Sequence, residues 1–402
     1  MISFVRANGR WLFAGMNMTF ATSFGQTFFI SIFAAEIMQH YALSDGEWGA
    51  LYALGTMVSG FVMIWAGTMT DVFRVRTLAV CLLAGIALCS VAMAFNSSAF
   101  LLPLIIFGLR FFGQGMLFHT AFIGMARWFS RNRGKAMSIA GLGFSVGEAF
   151  LPLLVVALLS FLAWETIWLI AAVLCVLFIP LIRRLLAEER QPRDLEDTEV
   201  TPGLGHRHWT RPEVVKNWVF WALFPLVIGP STYGTILFFQ QVHLSEVKGW
   251  THASFVALFP IYTATTVVSM LLYGVLIDRL GAMRLIAAVQ IPMAIGFGVL
   301  SLAETPGMAM IGLIFVALSH GGWSTTSTAF WAELYGTRHL GSIKSAATAI
   351  MVLGSALGPA VSGALIDRNI SFPMQMPYFS VLILLACGLA GFSVYRARRR
   401  YT

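Results

Sequence analysis

The stretch Gly67-Thr68-Met69-Thr70-Asp71-Val72-Phe73-Arg74-Val75-Arg76 returns 207 residues later as Gly274-Val275-Leu276-Ile277-Asp278-Arg279-Leu280-Gly281-Ala282-Met283-Arg284. Each copy closes a long apolar segment and opens the next. A glycine, an acid four residues on and then basic residues, at the same place in each half, is the mark of an internal duplication. In a membrane, two such halves make a path rather than a wall.

Composition settles the solvent. Of 402 residues 58% are apolar and 11% charged, whereas a soluble domain carries about 25% charged residues. Segments of roughly 20 mostly apolar residues, enough to cross a hydrocarbon core of about 30 Å, recur along the whole chain. Twelve are predicted, near 11–38, 47–70, 77–95, 100–126, 135–161, 165–184, 215–240, 253–277, 284–303, 307–333, 341–366 and 375–395. Backbone groups in hydrocarbon must be satisfied within the segment, so these are helices. The alternating pattern of a transmembrane barrel is absent. The first segment is too long for a signal-peptide core and is read as a retained helix.

The formal charge of +8 does not point to nucleic acid. With twelve spans and the N-terminus inside, all but three of the 26 Lys and Arg residues fall on the cytoplasmic side; Lys248 and Arg368 fall outside and Arg110 falls within a span. That asymmetry is the positive-inside signature. It predicts a multi-pass protein of the cell inner (plasma) membrane with both termini cytoplasmic. Cys81, Cys89, Cys175 and Cys387 all lie in apolar segments without a CxxC pair, and read as small buried side chains.

Residues 185–213 interrupt the apolar pattern with Pro192, Pro202, Pro212 and a run of acids. This segment reads as a cytoplasmic linker with little fixed structure. The expected organisation is therefore an N-terminal six-helix bundle over 1–184, the linker over 185–213 and a C-terminal six-helix bundle over 214–402. The halves also match at Gly134 and Gly341, and, with a four-residue slip, at Leu142-Gly143-Phe144-Ser145-Val146-Gly147 and Leu353-Gly354-Ser355-Ala356-Leu357-Gly358. Gly-x-x-x-Gly spacing lets helix backbones approach closely.

Twelve helices in two halves, an acidic middle loop and the repeated Gly-x-x-x-Asp motif resemble the major facilitator superfamily. The resemblance implies an all-α membrane protein with twelve transmembrane helices in two pseudo-symmetric six-helix bundles. It implies a transporter working by alternating access, without cofactor or resident metal and expected as a monomer. In that family the loop acid and its basic neighbours form a cytoplasmic gate. Carried onto this chain, the gate residues are Asp71, Arg74 and Arg76 with Arg127 or Arg131, and Asp278, Arg279 and Arg284 with Glu333 and Arg338. The first copy departs from the family pattern at Val72 and Arg74. Loop charges serving topology alone are the plainer reading of the same residues.

Two charges remain near the bilayer middle, Arg110 in the fourth span and Glu148 in the fifth. A central charge costs at least ~2.5–3.5 kcal/mol on insertion scales and marks a functional site by default. At 1.5 Å per residue Arg110 lies roughly 15 Å below the outer surface and Glu148 roughly 20 Å above the inner one. The two are therefore expected to meet, either as a static pair or as a coupled site in which a proton on Glu148 frees Arg110 for an anion.

Arg110-Phe111-Phe112-Gly113-Gln114-Gly115 is similar to a fourth-helix arginine motif that several facilitator families use in proton handling. His320, Trp323, Ser324 and Ser327 share one face of the tenth span, and His320 is a candidate proton carrier or a hydrogen-bonded packing histidine. Gly229-Pro230 should break or kink the seventh span. Gln26 in the first span aligns with Tyr233 in the seventh, and Tyr262 offers a hydrogen-bonding wall in the eighth. The expected substrate-binding set is Arg110, Gln114, Gln26, Tyr233, His320, Trp323, Ser324 and Tyr262, with Glu148, Arg110 and His320 coupling a proton.

Within the superfamily, Ala34-Ala35-Glu36 with Asp45-Gly46-Glu47-Trp48-Gly49, Ala126-Arg127-Trp128-Phe129 with Arg133-Gly134, and Glu333-Leu334-Tyr335-Gly336 resemble the monocarboxylate and oxalate/formate porter group. Against that stands the lack of a basic residue in the middle of the eighth and eleventh spans, so Arg110 has to serve. The implied substrate is a small organic anion moved with a proton. The alternative is a proton-coupled exporter of a neutral or amphipathic compound, to which the 33 phenylalanines suit as walls. No HExxH or Walker-type run points to an enzyme.

Overall fold

A computed structural model describes residues 2–129, 132–188 and 202–401. Among them every regular element is helical. Ten helices are long and apolar enough to cross a membrane, or up to eleven when a bent pair is taken as one span. That pair, Phe4–Gly25 and Thr27–Tyr41, is α1. The others are α2 Asp45–Ala66, α3 Val75–Phe95, α4 Ala99–Trp128, α5 Gly134–Leu159, α6 Trp164–Leu185, α7 Trp218–Phe239, α8 His252–Leu280, α10 Pro306–Tyr335, α11 Leu340–Ile366 and α12 Phe372–Arg399. The ninth predicted span is shorter than expected. It contains a single turn, Ala282–Leu285, and then the 12-residue α9, Ile291–Leu302. Pro292 sits in the first turn of α9, where its missing N–H costs nothing.

The chain forms two compact units, Met1–Asp197 and Thr198–Thr402. Each is built from the same pairs. In the first unit α1 packs on α5, α2 on α4 and α3 on α6; in the second α7 packs on α11, α8 on α10 and α9 on α12. The Gly-x-x-x-Gly stretches explain two of these seams. Gly143 lies against the backbone carbonyl of Met16 and against Thr19, and Gly147 against Ser23. Gly354 and Gly358 lie against Ile228, Thr232 and Ile236 of α7. A hydroxyl completes the first seam, since Thr19 Oγ1 donates to the Ala140 carbonyl.

The first helix is broken, and the seventh is continuous at the proline. Gln26 is extended (φ −86°, ψ 154°), and the two parts of α1 are bent by 48°. By contrast, Phe224–Phe239 runs through Pro230 as one helix. The proline deprives the Leu226 carbonyl of its i→i−4 donor, and Gln290 supplies one from its Nε2 at 2.5 Å.

The second part of the predicted linker is folded. Trp209 is 4% exposed; its backbone N–H donates to the Tyr335 carbonyl at 3.1 Å and its ring meets the Tyr335 ring at 5.5 Å. Arg207 stacks on Trp209 with its guanidinium carbon 3.7 Å from the ring centroid. Glu213 accepts from the Thr210 N–H and hydroxyl at 2.7 and 2.8 Å, and these bonds, the backbone one foremost, hold its carboxyl below the usual range. Residues 202–213 are thus a strap on the end of α10, not loose chain. Residues 189–201 lie outside the described residues.

Close helix approach at Gly143 predicts a specific stability effect. Gly143→Ala, whose methyl meets a backbone oxygen that cannot move aside, should lower stability by about 1–3 kcal/mol. Gly134→Ala, with open space around it, should not. Thermal unfolding of the purified protein in detergent compares the two.

Candidate functional site

An arginine buried in an apolar helix needs partners for its five N–H donors, and the first unit supplies some of them through an opened helix turn. Arg110 is 2% exposed. It begins a π-helical stretch of α4, Arg110–Leu117, of the kind that gathers at functional sites. That wider coil packs on the break in α1, where a Cβ at Gly113 would stand 2.9 Å from the Gly25 Cα. Because Gln26 is extended, the Gly25 carbonyl turns outward from the helix. Arg110 Nη1 donates to it at 3.4 Å and to Thr27 Oγ1 at 3.1 Å. Thr27 Oγ1 and the Tyr52 hydroxyl are 2.7 Å apart, and the guanidinium carbon lies 5.5 Å from the Tyr52 ring centroid.

These partners are neutral. Among the described residues no carboxylate lies within ion-pair distance of Arg110, and its Nε is buried without a hydrogen-bond partner. Glu148 is also buried, at 8% exposed, on α5 beside Gly147. The expected contact between the two is not formed. Gln26 is buried and Gln114 half-buried, with its backbone nitrogen against Gly25. Tyr52 was missed by the sequence reading, although it is a tyrosine in an apolar span 58 residues before the buried arginine.

In the second unit His320 joins three helices. Its Nδ1 is hydrogen-bonded to the Tyr262 hydroxyl of α8, and its Nε2 lies 3.2 Å from the Pro230 carbonyl of α7. Gly234 leaves room for the imidazole. One residue earlier, Ser319 Oγ accepts the Met293 N–H at 2.8 Å and so caps α9. Trp323 is 5% exposed and its Nε1 is buried without a partner. Ser324 is exposed and its hydroxyl donates back to the Gly321 carbonyl at 2.7 Å. Tyr233 turns its ring to Phe379 and Phe297, at 5.3 and 6.0 Å, and so stands in an aromatic cluster.

The two repeated loops are held by opposite chemistry. In the first unit Arg127 Nη1 donates to the Thr70 carbonyl at 2.9 Å, next to Asp71. Arg74 and Arg76 line a cleft of about 70 Å³ with Thr77, Trp128, Leu186 and Ala187. Arg131 and the Asp71 side chain lie outside the described residues. In the second unit the Glu333 carboxylate accepts the N–H groups of Ala282 and Met283 at 2.8 and 3.0 Å. The chain reverses into that grip at Gly281, whose φ of +78° favours glycine. Asp278, Arg279, Arg284 and Arg338 are exposed. The described residues include no group of three or more His, Cys, Asp or Glu side chains able to hold a metal ion.

Comparison with known proteins extends this picture. The model of the Major Facilitator Superfamily matches residues 16–359. A comparison with curated proteins gives no match. Among solved structures, the chain resembles a bacterial homolog of the human lysosomal transporter Spinster in an inward-facing, unoccupied conformation. The TM-score is 0.70 at 18% identity, over 98% of this chain and 97% of that one. It also resembles the nucleoside transporter NupG, with a TM-score of 0.68 at 13% identity over 98% and 99% of the two chains. At these identities the structural likeness speaks for the fold. The family match spans most of the length, and so the chain belongs to the Major Facilitator Superfamily, as a membrane transporter and not an enzyme.

Proposed function

We propose that the chain moves a small organic anion of the monocarboxylate kind, together with a proton, across the inner membrane by alternating access. The observation that supports this reading is the state of Arg110, a buried guanidinium held by neutral partners with its Nε unengaged. Buried charge in a medium of low dielectric is costly unless paired. A carboxylate arriving on the Nε side of the guanidinium fork pairs it in the bidentate geometry that arginine favours. Gln26 and Gln114 stand on the two elements that meet at Gly25 and supply neutral hydrogen bonds to the same solute.

Glu148 is the proton carrier in this proposal. A buried carboxyl that does not neutralise Arg110 crosses the cycle at lower cost when protonated. The clamps on the repeated loops belong to the cytoplasmic gate, with Arg127 on Thr70 and Glu333 on Ala282 and Met283. A neutral or amphipathic solute is the second reading. It is favoured by the second unit's candidate residues, Tyr262, Trp323 and Ser324, which carry no charge.

Two experiments test these roles. In proteoliposomes with labelled formate, lactate and oxalate, Arg110→Gln should weaken binding by a factor of about 30 or more, the cost of losing one partner of a buried charged pair. Glu148→Gln should abolish accumulation driven by a pH gradient and keep exchange. Wild-type uptake of all three acids by Arg110→Gln would overturn the anion reading. For the gate, Glu333→Ala leaves two backbone donors unsatisfied, at about 1–3 kcal/mol. It should slow transport while leaving the binding constant unchanged, and an altered constant with a normal rate would place Glu333 at the solute instead.

A further inference from the structure

The buried base of the first unit has a counterpart in the second. Tyr52 precedes Arg110 by 58 residues, and Tyr262 precedes His320 by the same 58, so one offset of 210 maps both pairs. The helices correspond as well. Arg110 on α4 meets Tyr52 of α2 and the Gly25 carbonyl of α1. His320 on α10 meets Tyr262 of α8 and the Pro230 carbonyl of α7. In each unit a base joins a tyrosine ring to a carbonyl at the weakest turn of the first helix. The difference lies in the base. A guanidinium keeps its charge at every physiological pH, and an imidazole changes charge near neutrality.

We propose that His320 is a proton-binding site that sets the hold of α10 on the proline turn of α7, the titratable copy of the permanent hold that Arg110 has on α1. In the neutral form Nε2–H donates to the Pro230 carbonyl and Nδ1 accepts the Tyr262 hydroxyl proton, the tautomer that both bonds require. A proton taken from solvent onto Nδ1 reverses the second bond. Nδ1–H then donates to the Tyr262 oxygen, and the Tyr262 hydrogen turns away. The bond from Nε2–H to Pro230 becomes charge-assisted and stronger. Its effect falls where α7 is least supported, since Pro230 has no N–H and the Leu226 carbonyl depends on Gln290.

The surroundings leave His320 as the group that responds. On α8 the facing titratable group is Tyr262. On α7 Tyr233 is turned to Phe297 and Phe379. Across the α9 seam Ser319 is engaged with Met293. Lys344 of α11 donates to Thr328, eight residues further along α10. His252, at the start of α8, is 3.3 Å from the Gln241 side-chain oxygen. Glu333 belongs to the loop clamp at the far end of α10, and Arg284 on that loop is exposed.

Hydrogen–deuterium exchange of the full chain in lipid nanodiscs tests this without any solute. Amides of residues 231–234 are compared with those of residues 25–27 in the same molecule, at about pH 5.5 and about pH 8, after correction for intrinsic exchange. Residues 231–234 should exchange about fivefold more slowly at the lower pH, as a charge-assisted bond replaces a neutral one. Residues 25–27 should not change. His320→Gln should remove the difference and His320→Arg should give slow exchange at both values. Tyr262→Phe, which keeps the ring and removes the acceptor for Nδ1–H, should move the transition to lower pH and serves if the arginine variant does not fold. A difference that survives in His320→Gln, is missing from the wild type or occurs equally at residues 25–27 overturns the proposal. Such a failure leaves the anion reading standing, because that reading rests on Arg110.

Discussion

A carbonyl oxygen released from a helix inside apolar surroundings has no water to turn to, and a neighbouring side chain must take it. Two such oxygens organise this protein. The Gly25 carbonyl is taken by Arg110 and the Leu226 carbonyl by Gln290, and His320 adds a bond to the Pro230 carbonyl within the helix. The helix irregularities and the buried polar residues are therefore one feature described twice. Removing the break in α1 would leave Arg110 with a single hydroxyl donor-acceptor partner and a ring face. Conversely, without Arg110 the turn at Gly25 has an orphan acceptor at depth.

Duplication preserved geometry more strictly than charge. The seams α1 on α5 and α7 on α11 both rest on glycines that meet a backbone carbonyl and a threonine, with serine beside them in one and isoleucine in the other. At the repeated loops the preserved element is a grip from the end of α4 or α10. Arg127 grips by donating and Glu333 by accepting, so the two copies reach similar local order with opposite signs. A search for like charges at matching positions passes over this equivalence. A search for side chains that reach the same backbone finds it.

The helical spans, the two halves and the close-packing glycines were legible because each is written in composition or spacing. Arg110 and His320 were legible because a base in hydrocarbon is conspicuous. The pairing of Arg110 with Glu148 was not. Counting residues at 1.5 Å each gives depth but not the direction in which a side chain leaves its helix, and the π-helical coil at Arg110 changes that direction. Pro230 marks α7 for a break or kink, but Gln290 repairs the freed carbonyl from outside, a contact 64 residues away in sequence. Asp45-Gly46-Glu47, quoted above for its likeness to one porter group, is the first turn of α2. There Ser44 and Glu47 form a reciprocal cap at 2.9 and 3.2 Å, and local helix chemistry accounts for them. Likewise the strap over 202–213 was read as linker from its prolines, although Leu204 and Trp209 carried an apolar signal strong enough to dock it.

The eight-residue coil Arg110–Leu117 has one further implication. An α-helix turns by about 100° per residue, so absorbing one extra residue offsets the faces above and below the coil by about that angle. Leu102–Leu109 and Phe118–Trp128 are therefore two α-helical rods in rotational disagreement, joined by a swivel at the buried cation. Unwinding or tightening that joint would turn one rod about its own axis relative to the other. Arginine reorientation would then need no sliding of α4 along its neighbours.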